Sequence, residues 1–65
     1  DGNFPKELID AQLVAEIKVL LDDPTVSITT IADQLHFADQ SYLSRFFKRH
    51  TGFSPQDWRN NRPGA

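Results

Sequence analysis

The sequence predicts an all-α fold, a small bundle of about four helices. Three observations predict it. Apolar residues recur at three- and four-residue spacing, the period of a helix with one buried face. Helix-opening residues (Asn3, Ser27, Asp39, Ser54) stand just before those periodic stretches, and Pro24 and Gly52 stand after two of them. Sixty-five residues with seven aromatics and many Ile, Leu and Val suit one compact helical core. A chain of this size buries only about 60% of its unfolded surface.

The first helix is expected near 5–21, with Asn3 as a cap and Pro5 in the first turn. Ile9, Leu13, Val14, Ile17, Leu20 and Leu21 form its apolar arc, the expected core face. Leu8, Ala11, Ala15 and Val19 form a second strip. Scattered surface apolar residues are ordinary. A second strip on one helix also fits a surface that something else covers. Pro24 disfavours a helical Asp23 and ends the helix.

Ser27 is a good N-cap for a short second helix near 28–35, where Ile28, Ile31, Ala32 and Leu35 recur at helical spacing. Small Ala32 lets two helices approach closely. His36, Phe37 and Ala38 leave room only for a sharp corner, and Asp39 caps a third helix near 40–50. At roughly 100° per residue, Tyr42, Leu43, Phe46, Phe47 and His50 fall in one arc of that helix. Gln40, Ser41, Ser44, Arg45, Lys48 and Arg49 fall in the other, which carries amide, hydroxyl and cationic groups and no acid. A helix, a turn of three or four residues and a second helix with a polar outer arc make a helix-turn-helix. Gly52 stops the third helix. Ser54 and Pro55 open a fourth, near 55–60, with Asp57 close to capping-box spacing and Phe53 and Trp58 at hydrophobic-staple spacing. Residues 61–65 read as a disordered tail. Leu20, Ile31, Leu35, Phe37, Leu43, Phe47 and Trp58 are expected to be buried together, and no strand is expected.

Charge narrows the function. The formal net charge is -2, but residues 1–33 hold seven acids against two lysines, -5, while residues 34–65 hold five Lys and Arg against two acids, +3. The cations collect around the third helix. An enzyme is not expected: His36 and His50 are not at metal-ligand spacing, and no nucleophile motif or phosphate-binding glycine loop is present. His50 reads as a core or boundary histidine. No cofactor is implied. Without cysteine there is neither a disulfide nor a thiolate metal site, which fits a reducing compartment. No signal-peptide pattern opens the sequence and no run is apolar enough to span a membrane, so the expected location is cytoplasmic.

The stretch from Ile28 to Arg59, ITTIADQLHFADQSYLSRFFKRHTGFSPQDWR, resembles the C-terminal signature of AraC/XylS-type bacterial transcription regulators. The matching features are Ile28 with Ile31 and Ala32, then Phe37, then Ser41 to Arg45, Phe47 and Lys48, Gly52, Ser54 and Pro55, and Arg59. This family commonly has glycine where this chain has His36, a position that suits positive φ. Its long helix tends to carry arginine and alanine where this chain has Leu13 and Ile17.

The resemblance implies a homeodomain-like helix-turn-helix that binds double-stranded DNA. It also implies two such subdomains joined by a long helix, of which this chain holds the second. Residues 1–26 are then the linker helix and 27–60 the helix-turn-helix. The first subdomain and an effector or dimerisation domain are the missing partners, and the strip with Leu8, Ala15 and Val19 is where the first subdomain is expected to pack. Gln40, Ser41, Ser44 and Arg45 are the candidate base readers, with Arg45 suited to guanine and Gln40 to adenine. Lys48 and Arg49 suit phosphate. The alternative is a helical protein-interaction or dimerisation module without DNA binding, which the acidic N-terminal half and the second apolar strip favour.

Overall fold

A computed structural model describes residues 6–61. Within them are α1 (Lys6–Leu21), α2 (Ile28–Gln34), α3 (Gln40–Thr51) and α4 (Pro55–Asn60), and no strand. The expected boundaries hold to within a residue. Asn3, Pro5 and residues 62–65 lie outside the described residues. Asn61, expected to begin a tail, instead caps α4: its backbone N–H and its Nδ2 both donate to the Asp57 carbonyl, at 2.9 and 3.1 Å.

The caps form as the sequence reads. Ser27 accepts from the Thr30 N–H at 3.0 Å, Asp39 from the Tyr42 N–H at 2.8 Å, and Ser54 from the Asp57 N–H at 3.1 Å. Each side-chain oxygen satisfies one of the N–H groups that a helix start leaves without a partner. Gly52, at φ 86°, closes α3 in the left-handed region, where glycine carries no Cβ penalty.

The core is Ile17 and Leu21 of α1, Ile28, Ile31 and Ala32 of α2, and Leu43 and Phe47 of α3. Val14, Leu20, Val26, Leu35, Phe37, Phe46 and Trp58 pack around it, half-buried. Ile31, Leu43 and Phe47 are thus fully buried as expected, while Leu20, Leu35, Phe37 and Trp58 form the margin. Phe47 meets Trp58 edge to face at 5.7 Å, and Phe53 staples Trp58 from the other side at 6.0 Å. The Lys18 ammonium lies 4.8 Å above the Trp58 ring, a cation–π contact between α1 and α4.

Two residues leave the arcs assigned to them. Ile9 was expected on the core face and is 47% exposed. Full burial on α1 is confined to Ile17 and Leu21, in its C-terminal half. Nearer its N-terminus α1 faces α3 across an open groove lined by Lys6, Asp10 and Leu13, and Ile9 lies outside that lining. Tyr42, expected with the buried arc of α3, is 53% exposed. It lies roughly 100° from Leu43 and 140° from Phe47 around the helix, at the rim of the arc. Its ring rests against Phe37 at 5.9 Å. His50 is a boundary residue, its ring tilted 55° against Phe46 at 4.5 Å with its Nε2 3.6 Å from an Asp10 oxygen.

Arg59 fastens the two ends of the fold together. Its guanidinium donates to the carbonyls of Leu21 at 3.2 Å, Asp23 at 3.3 Å and Val26 at 2.7 Å. These carbonyls belong to the end of α1 and the loop before α2, so α4 is bonded to the corner that α1 and α2 make. In the same loop Asp23 accepts from the Thr25 hydroxyl and backbone N–H at 2.6 and 2.9 Å. Those two bonds, the hydroxyl's first, hold the Asp23 carboxyl below the usual carboxylate range.

Candidate nucleic-acid interface

The corner between α2 and α3 sets the aim of α3. Leu35 caps α2, and His36 follows in the left-handed region at φ 64°. The Phe37 N–H donates to Ala32 O at 2.9 Å and the His36 N–H to Asp33 O at 3.2 Å. This pair of bonds is the Schellman arrangement, which turns the chain sharply at a helix end. Phe37 is drawn inward against Phe46 at 5.4 Å. Asp39 then starts α3 in a fixed direction, with Leu43 and Phe47 holding its inner side in the core.

The outer side carries every candidate residue. Gln40, Ser41 and Arg45 are exposed and Ser44 is half-buried, and the four line one shallow depression at the N-terminal half of α3. Lys48 and Arg49 are exposed in the C-terminal half. Arg45, Lys48 and Arg49 make no hydrogen bond or ion pair within the described residues. Their charge is therefore uncompensated among the described residues. Lys48 and Arg49 also stand in the last turn of α3, where cations favour the negative end of the helix dipole. Arg45 and Arg49 border a groove of about 400 Å³ between α1 and α3, with Lys6, Asp10, Tyr42 and His50 around it.

Two features escaped sequence reasoning. Thr29 Oγ1 of α2 donates to Gln40 Oε1 of α3 at 2.7 Å, so Gln40 is held from the neighbouring helix. The two residues stand eleven apart, and no spacing rule connects them. Arg59 belongs by sequence to the cations near α3, but its guanidinium faces backbone carbonyls. The outward charge of the site is thus three cations among the described residues.

A polar, cationic helix presented outward by a fixed corner and rooted in a buried apolar face defines a helix-turn-helix domain. The helix-turn-helix domain family matches residues 2–61 of the chain. The arabinose operon regulatory proteins of Salmonella typhimurium and Escherichia coli are each 40% identical to it over 48 residues. That stretch is 74% of this chain and 17% and 16% of the two relatives. The chain belongs to the AraC-type helix-turn-helix family of DNA-binding transcription regulators. It matches less than a fifth of the length of either curated relative. No solved structure matches the chain. Among the described residues no helix is long and apolar enough to cross a membrane.

Proposed function

We propose that this chain is the second helix-turn-helix of a longer, cytoplasmic, non-enzymatic AraC-type regulator and that it reads a specific DNA sequence. In this reading α3 lies in the major groove with its N-terminal half at the bases. Gln40, Ser41, Ser44 and Arg45 face base edges, and Lys48 and Arg49 face phosphates. The observation that carries it is the outward grouping of these residues on one helix whose cations have no partner among the described residues. The planar fork of Arg45 matches guanine through two parallel hydrogen bonds. The compact charge of Lys48, one turn beyond Ser44, matches a phosphate.

The test separates reading from anchoring. A randomised double-stranded DNA pool is selected with the longer regulator, and affinities for single-base variants of the selected site are then measured over a salt series. Arg45→Ala is expected to relax preference at one base pair, a loss of about 1–3 kcal/mol in discrimination. Lys48→Ala is expected to weaken all sequences alike and to lower the salt slope by about one. Equal losses on every sequence for Arg45→Ala would leave base reading to Gln40, Ser41 and Ser44.

A second reading rests on the apolar strip of α1, where Leu8 is 52% and Val19 66% exposed. A protein-interaction or dimerisation module without a DNA role would use that face. Salt-eluted retention on heparin without self-association favours the DNA reading; self-association without retention favours the other.

A further inference from the structure

The bond between Thr29 and Gln40 sits at the reading end of α3. Thr29 stands in the first turn of α2, Gln40 is the first residue of α3, and both are exposed on the same outer surface. Among the described residues it is the one side-chain hydrogen bond that joins α2 to α3. The Thr29 hydroxyl meets Gln40 Oε1 at 2.7 Å, so the Gln40 amide is tied back to α2. Its Nε2, with two donors, makes no hydrogen bond within the described residues.

We propose that Thr29 is a positioning residue for base reading: its hydroxyl holds the Gln40 side chain against α2, so that the amide meets one base pair in one conformation. The proposal rests on the DNA reading given above and adds a source of specificity to it. A threonine hydroxyl both donates and accepts, so the bond restrains the glutamine side chain whichever end of the amide is turned to it. An unrestrained glutamine samples several rotamers and reads that base pair less sharply. Thr29 thus acts on specificity without touching a base. Its β-branched side chain has few χ1 states, so its hydroxyl stays aimed at Gln40.

The experiment uses the longer regulator and single-base variants of the site it selects from a randomised duplex pool. Thr29→Val keeps the shape and removes the hydroxyl; Thr29→Ser keeps the hydroxyl. Thr29→Val is expected to lower discrimination about three- to tenfold at one base pair only. The other positions, the salt slope and the melting temperature stay unchanged. Thr29→Ser restores most of the discrimination, and in a Gln40→Ala background Thr29→Val has no further effect. In the DNA-free protein the side-chain amide order parameter of Gln40 falls in Thr29→Val. A uniform loss on all sequences, an effect that persists without Gln40, or a Gln40 amide equally mobile with and without the hydroxyl would each overturn the positioning role. A wild-type protein that discriminates normally while Thr29→Val changes nothing overturns Thr29 alone. A wild-type protein with no sequence preference overturns the base-reading function, and the role of Thr29 with it.

Discussion

His36 holds a backbone conformation that glycine reaches without steric cost. At φ 64° its Cβ crowds the following carbonyl, which costs a non-glycine residue roughly 1–2 kcal/mol. The side chain is exposed and makes no hydrogen bond or ion pair among the described residues. His36→Gly should therefore stabilise the domain, by about 0.5–1 kcal/mol once the greater freedom of glycine in the unfolded chain is subtracted. In a domain this small that raises the melting temperature by about 2–8 °C. The strain was legible beforehand, because the family's glycine marks the position. Arg59 was not legible in the same way. Nothing in its spacing says that it binds carbonyls 33 to 38 residues earlier. Arg59→Ala removes a charged donor from the Leu21, Asp23 and Val26 carbonyls, and urea unfolding should show a loss of about 2–3 kcal/mol. Arg59→Lys should recover less than half of it, since one ammonium cannot match the planar fork across all three acceptors. A full recovery would show that charge alone matters there.

At the scale of the element, capping and periodicity made α2, α3 and α4 readable, because each begins at a side chain that bonds its own first turn. Local chemistry of that kind is written within four residues. Which part of a helix is covered depends on where its neighbours dock, which explains Ile9, and on where the rim of an arc falls, which explains Tyr42. The candidate site follows the same division. The polar arc of α3 is a property of its own sequence, whereas the tether from Thr29 exists only after α2 has docked. Phe47 is where the element meets the core: it is fully buried and edge-on to Trp58. Phe47→Ala should cost about 3–5 kcal/mol, comparable with the whole stability of so small a domain. Thermal melting followed by circular dichroism should show little or no cooperative transition. A near-normal melt would mean that Phe47 is not the keystone its burial indicates.

Across the whole molecule, acidic and basic halves are separated along the chain, and only three cations among the described residues face outward from α3. With about three phosphate contacts from α3, the affinity of this chain alone should fall with a log–log salt slope of about -3. Linkage to a second reading unit would raise the apparent affinity through effective concentration without any new contact here. The surface open to such a linkage is on α1, whose strip of Leu8, Ala11, Ala15 and Val19 is exposed in this domain. We propose that the longer regulator covers this strip with its first helix-turn-helix subdomain. A lysine on an exposed position leaves a small domain within about 0.5 kcal/mol of its stability, whereas a charge placed in a covered apolar contact costs several times as much. The doubly substituted Leu8→Lys, Val19→Lys chain should therefore melt like the unsubstituted 65-residue chain. The same pair in the longer regulator should lower its melting temperature and weaken binding to the selected DNA site. It should leave the base preferences assigned to α3 unchanged, because no residue of the reading face is altered. Equal behaviour of the longer protein with and without the substitutions would show that the strip is open there too, and that α1 is not the joint between two reading units.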